Sequence, residues 1–175
     1  MHRILFILIL TFYSSITDAQ IQRSFWGLEL GQSTKIDVRS YLSSNGIEFE
    51  DNFDGSSTIC TVDELSLGGY SWLVLFEFHN NILYEVDMVR TNKFFSYTTG
   101  DSFEIDTQKI FNDLRKKISN KYNNCEFVST PNPISLFVVR DNRTVTQLEL
   151  KDDKTLSLVY VDRRIGRIVQ SGDDL

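Results

Sequence analysis

Residues Gly27–Gly46 read GLELGQSTKIDVRSYLSSNG, and the architecture of the chain is legible outward from them. Trp26, Leu28 and Leu30 alternate with Gly27 and Glu29, the period of a short half-buried strand. Gly31 and Gln32 end that run. Ser33 or Thr34 then supplies an N-cap, and Asp37, three residues after Thr34, matches a capping-box spacing. Ile36, Val38, Tyr41 and Leu42 form one apolar face, and Asn45-Gly46 offers the left-handed residue that stops a helix. Strand patterns follow, so the spacing predicts a helix over 33–45 lying across one face of a sheet.

Upstream, Met1-His2-Arg3 is positively charged, Ile4 to Tyr13 is almost entirely apolar, and Thr17-Asp18-Ala19 presents small residues. This is the pattern of a secretory signal peptide over 1–19, cleaved after Ala19. The apolar run is about ten residues, half of what a membrane-spanning helix needs. An exported protein, periplasmic or extracellular, with no membrane span is therefore expected. Cleavage would leave 156 residues (175 − 19), which suits one domain or two small halves and allows a real core. The formal charge of −6 argues against nucleic acid as a partner, since the phosphate backbone demands a concentrated basic face.

Downstream, Ile59 to Val62 reads as a strand, and Gly68-Gly69 as a bend. Trp72, Val74, Phe76 and Phe78 alternate with Leu73, Leu75 and Glu77. Asn80-Asn81 tolerates the positive φ of a tight hairpin, and Ile82 to Arg90 alternates again. That alternation sets Tyr84, Val86 and Met88 opposite Leu83, Glu85, Asp87 and Val89. Residues 93–100 form an aromatic connector carrying Phe94, Phe95 and Tyr97, which either seal a seam or anchor a partner. Asp106 or Thr107 caps a second helix to 122, with Ile110, Phe111, Leu114, Ile118 and Tyr122 on one face. Arg115, Lys116, Lys117 and Lys121 load its C-terminal half, where cations complement the helix dipole. Strands over 134–140, 144–150 and 155–162 complete the pattern.

The expected fold class is thus α+β, with two tandem units each of one helix packed on an antiparallel sheet. The units span 20–92 and 101–175. The opening Gly27-Leu28-Glu29-Leu30-Gly31, followed by Ser33 to Val38 and closing over Leu42 to Gly46, resembles the repeat opening of β-lactamase inhibitory proteins. It is similar also to the small lipoprotein subunit of the outer-membrane barrel-assembly machinery and to uncharacterised secreted proteins of Bacteroidetes-type bacteria. The resemblance implies a scaffold in which two repeats make a concave sheet that grips a partner. One cysteine per half, where those inhibitors carry a pair in each, and the missing Gly-x-x-x-Gly in the second half set this chain apart. Inhibition of a β-lactamase is therefore not implied.

Catalytic constellations are scarce. Past the leader, His79 is the sole histidine, and it sits beside the Asn80-Asn81 turn with no orienting carboxylate in the pattern. One His and two distant Cys make no zinc set. Glu50, Asn52, Asp54 and Gly55 imitate the start of a calcium loop, but Thr61 stands where the bidentate Glu belongs, and turn formation explains the stretch. Cys60 and Cys125 either pair as a disulfide, which export permits, or remain buried thiols. No cofactor is expected.

With the heavier apolar set Trp72, Val74, Phe76 and Phe78 assigned to the helix side, Leu73, Leu75, Glu77, Leu83, Glu85 and Asp87 face outward. Joined by Phe94, Phe95 and Tyr97, they form the expected contact surface for another protein. A binder of a small ligand or lipid is the alternative, favoured by an apolar cavity between helix and sheet. A small hydrolase using converging carboxylates stands third.

Overall fold

A computed structural model describes residues 20–52, 57–91, 93–95, 102–122, 125–129 and 135–172, with only the backbone course given for 93–95, 102–104 and 125–129. The signal segment 1–19 lies outside the described residues, as do Asp54, Gly55 and Tyr97.

The chain opens with a two-residue hairpin, β1 (Ser24–Phe25) and β2 (Leu28–Glu29). The sequence pattern predicts one strand from Trp26 onward. Instead Trp26 and Gly27 form the turn, at φ 52° and 84°, the mirror-image geometry that matches strand twist. Helix α1 (Lys35–Ser44) follows, and both halves of the capping box between Thr34 and Asp37 are made. Val38 and Leu42 are fully buried, but Ile36, expected on the same face, is 63% exposed. Lys35 is buried in its stead, its Nζ 2.7 Å from both the Asp51 carboxylate and the Asn52 side-chain oxygen.

The next strands are β3 (Phe49–Asp51), β4 (Thr58–Thr61), β5 (Leu65–Leu67), β6 (Tyr70–His79) and β7 (Ile82–Arg90). Asn80 and Asn81 both take positive φ in the β6–β7 turn, as the sequence predicts. The connector is not simply a loop, because β8 (Lys93–Phe95) pairs with β9 (Ser102–Glu104) in a separate two-stranded sheet. Helix α2 (Thr107–Lys121) is capped by Asp106, whose carboxylate accepts the Lys109 N–H. Then come β10 (Cys125–Ser129), β11 (Ser135–Arg140), β12 (Thr144–Leu150) and β13 (Leu156–Asp162). A third helix, α3 (Arg163–Ser171), has no counterpart in the sequence reading.

All pairings are antiparallel, and the main sheet runs β10-β11-β12-β13-β7-β6-β4-β3, with β5 pairing the first part of β6. The fold is therefore α+β with one sheet continuous across both halves of the chain, joined where β7 meets β13. Trp72, Val74, Phe76, Val86, Met88, Leu148 and Leu158 point to one face, where residues of α1, α2 and the β1–β2 hairpin complete a single core. Each such large side chain contributes about 1.5–3 kcal/mol on burial. Helix α3 folds back against the other face. A Cβ on Gly166 would lie 2.9 Å from Val161 Cγ1, and Val161 alternates with the inward Tyr160 and Asp162.

A bridge between Cys60 and Cys125 is not formed. Cys60 is a free thiol on β4, and Cys125 begins β10. Six strand spacings separate the two, roughly 29 Å at about 4.8 Å each, against a limit of about 7 Å between disulfide Cα atoms.

Candidate functional site: the outer sheet face

Away from the core, the ladder lays its side chains in rows that cross the sheet. One row pairs Cys60 with Leu75, Leu75 with Asp87, Asp87 with Val159, and Val159 with Gln147. A second runs from Thr58 through Glu77, Glu85 and Val161. A third starts Leu73, Val89, Ser157, Glu149. Leu73 is 39% exposed, while Leu75, Val89 and Val159 are half-buried. The centre of the face is acidic and its surroundings are aliphatic.

Of the residues predicted to face outward, Leu73, Leu75, Glu77, Glu85 and Asp87 do so. Leu83 does not. A β-bulge between Glu77 and Phe78 pairs Phe78 with Leu83 and leaves Tyr84 without a partner across the ladder. Beyond the bulge the alternation is inverted, so Leu83 is fully buried in the core and Tyr84 turns to the outer face. There the Tyr84 hydroxyl donates to Glu77 Oε2 at 2.8 Å. The side-chain chemistry carried the signal: a core leucine and an outward tyrosine keep a phenol out of an apolar interior and a leucine out of water. Phe94 and Phe95 lie on β8, with their side chains outside the described residues, and Tyr97 lies outside them altogether.

Like charges meet at the centre. Glu77 and Glu85 are directly opposed across β6 and β7, which places their Cβ atoms about 5 Å apart. Burial, then the charges of Glu77 and Asp87, push the Glu85 carboxyl up to about 7. Burial likewise raises Asp87, opposed by the Ser157 hydroxyl, which donates to Asp87 Oδ1 at 2.7 Å. Tyr84 is raised by burial and by its bond to Glu77. Perturbed carboxylates of this kind suit an acid–base pair or a docking surface for a cation, and structural pairs show them too.

The other candidate residues are dispersed. His79 ends β6, its ring 3.3 Å from the Asn80 amide. Glu50 lies on the edge strand β3, and Asp51 is paired with Lys35 and Arg39. The Asn52 side chain accepts from Lys35, so Asp51 and Asn52 hold α1, while Asp54 and Gly55 lie outside the described residues. Lys117 pairs with Asp113 one turn back and lies over the Tyr70 ring. Among the described residues no group of three His, Cys, Asp or Glu side chains is placed to hold a metal ion. No described helix is long and apolar enough to cross a membrane.

Clefts elsewhere among the described residues include one of about 420 Å³ beside the start of α2, lined by Ile105, Thr107 and Leu150, and two more. One, of about 190 Å³, opens between α2 and the core face, with Leu114, Ile118, Leu158 and Tyr160 among its walls and Lys117 and Lys121 beside them. The other, of about 430 Å³, is polar and is bounded by Gly31, Arg143 and Arg164. Its lining joins residues 23–32 to residues 142–164, more than a hundred positions later in the chain, so no local pattern announces it. No protein-family model, curated protein or solved structure matches this chain.

Proposed function

We propose that this chain is an exported, non-catalytic protein-binding module made of two tandem helix-plus-sheet units, and that the outer sheet face grips the partner. The tandem reading is supported by the strand order. In each half a helix precedes four strands laid down in sequence, β3-β4-β6-β7 and β10-β11-β12-β13, and the two sets meet at their last strands. Such a plan suits the scaffold of the inhibitory proteins that the Gly27–Gly46 stretch resembles. The contact face is carried by one observation: Leu73 is 39% exposed, beside half-buried Leu75 and Val89, on a sheet whose other face already holds the core. An antiparallel sheet packed on its core through one face leaves on the second, beside the part that α3 covers at Val161, room for water or a partner. Aliphatic side chains around acidic ones make a protein contact that combines apolar burial with charge selection. The test is capture of partners with residues 20–175, in parallel with the Leu73→Ser, Leu75→Ser double variant. Partners that bind through this face are lost by the variant while its melting temperature holds. Retention of every partner would reject the face.

The apolar cleft beside α2 favours a second reading, a small ligand or lipid held between helix and sheet. Native mass spectrometry of the purified protein tests it, since a retained apolar molecule would appear as a discrete added mass.

A further inference from the structure

The polar cleft of about 430 Å³ is built from three distant parts of the chain: Gly31 and Gln32 before α1, the Asn142–Arg143 turn between β11 and β12, and the start of α3. We propose that it is a binding site for the phosphate group of a small polar phosphate ester. The inference is independent of the sheet-face reading.

The floor is a closed ion pair. Arg23 Nη2 lies 2.6 Å from Asp162 Oδ2 and 2.5 Å from the Leu30 carbonyl, while Nη1 donates to the Arg143 carbonyl at 3.0 Å and to Thr144 Oγ1 at 2.9 Å. The other Asp162 oxygen accepts the N–H groups of Arg164 and Ile165, capping α3. The negative charge of Asp162 is thereby consumed inside the fold. Asp141, the nearest other carboxylate on the turn, accepts the N–H groups of Ile21, Arg143 and Thr144. Gly31, at φ 77°, keeps the floor open: a Cβ there would lie 2.5 Å from Asp162 Oδ2 and 3.1 Å from Arg23 Nη2.

The walls carry the uncompensated charge. Arg143 and Arg164 are exposed, and among the described residues neither guanidinium has an ion-pair or hydrogen-bond partner. Their backbones are nonetheless fixed. The Arg143 N–H is held by Asp141, its carbonyl accepts from Arg23 and from the Arg163 N–H, and the Arg164 N–H is held by Asp162. The buried Nε of Arg23 is a further donor without an acceptor among the described residues. Three arginines against one aspartate leave the lining at +2 in a chain whose formal charge is −6. Guanidinium groups on rigid backbones suit the tetrahedral, multiply charged phosphate, which they engage in paired hydrogen bonds. The cleft is larger than one phosphate, and the Asn142 amide and the side-chain oxygen of Gln32, whose Nε2 donates to Glu29 Oε1 at 2.8 Å, offer neutral polar contacts to a hydroxylated body.

Isothermal titration of residues 20–175 with glucose 6-phosphate, inorganic phosphate and glucose, at low salt and at 0.15 M NaCl, tests the site. Saturable binding of the phosphate compounds, absent for glucose and weakened by salt, is expected. Tighter binding of the ester assigns a phosphorylated metabolite, and equal binding assigns free phosphate. The Arg143→Gln, Arg164→Gln double variant should bind at least tenfold more weakly with an unchanged melting temperature. The corresponding double lysine variant, which keeps charge and loses the planar fork, should fall between. Failure of the parent protein to bind either phosphate compound, or undiminished binding by the glutamine variant, would overturn the proposal.

Discussion

Glu85 stands directly across the ladder from Glu77, so that β6 and β7 bring two carboxylates together on a partly buried sheet face. Tyr84, the extra residue of the bulge, supplies a hydroxyl to Glu77 and none to Glu85. One carboxylate is therefore solvated by the protein, while the other bears both desolvation and repulsion.

Stability should fall as pH rises through neutrality. A carboxyl raised from 4.5 to about 7 holds its proton in the folded state over a range where the unfolded chain has lost it. Its stabilising contribution is complete below about pH 4.5 and gone above about 7. Urea unfolding at pH 5 and pH 8 should differ by roughly 2 kcal/mol from this group, a figure reduced for its partial exposure. Glu85→Gln should gain about that much at pH 8, little at pH 5, and flatten the profile between them. An unchanged slope in the variant would assign the effect elsewhere.

Leu83 and Leu73 occupy opposite faces of one hairpin, and the inverted alternation makes their substitutions unequal. Leu83→Ala empties a fully buried site and should cost about 2–5 kcal/mol. Leu73→Ala, at a position 39% exposed, should cost below about 1 kcal/mol. Equilibrium denaturation of the two variants checks the bulge without any knowledge of a partner. Comparable losses would contradict the face assignment.

Asp162 has two separable duties. One oxygen pairs with Arg23, which lies 139 residues earlier, and the other caps α3. Both interactions hold its carboxyl below the usual range against the opposing effect of burial. Its stabilisation is therefore present above about pH 4 and lost as pH falls through the lowered value. Asp162→Asn keeps a competent cap but strands the Arg23 charge, at a cost of about 3–5 kcal/mol. Asp162→Ala should cost about 1 kcal/mol more. Thermal unfolding of both variants separates the roles, and equal losses would leave the cap without energetic weight.

The elements legible in the sequence are those whose signals are local. The Thr34–Asp37 box, the Asn80-Asn81 turn and the period-two runs of β6, β7, β12 and β13 all depend on neighbours within a few residues. Ile36 and Lys35 show where this stops: which helical residue is buried was decided by Asp51, on a strand the pattern did not mark. The bulge at Tyr84 shows it again, since one extra residue inverts the alternation beyond it without altering the composition. Most of the proposed contact face was readable for the same reason, because parity holds along an unbroken strand. The arginine cleft was not, because Arg23, Arg143 and Arg164 meet only after the sheet has closed between the two halves.

Cys60 should behave as a thiol in the oxidised protein. Its strand lies six places from that of Cys125, so neither thiol can reach the other without dismantling the sheet. Unfolding residues 20–175 without reductant should therefore release two titratable thiols, and reductant should leave the mass unchanged. In the native protein Cys60 should react slowly. Burial, then the Glu50 charge across the β3–β4 pair, raises its pKa from 9.0, and only the thiolate attacks an alkylating agent. Glu50→Gln removes the like charge and leaves the burial, so iodoacetamide at pH 8 should modify Cys60 several-fold faster in that variant. An accelerated rate with two free thiols fits the sheet order. A protein that runs as a monomer without reductant and shows no titratable thiols until reduced would require β4 and β10 to be neighbours, and would overturn the topology itself.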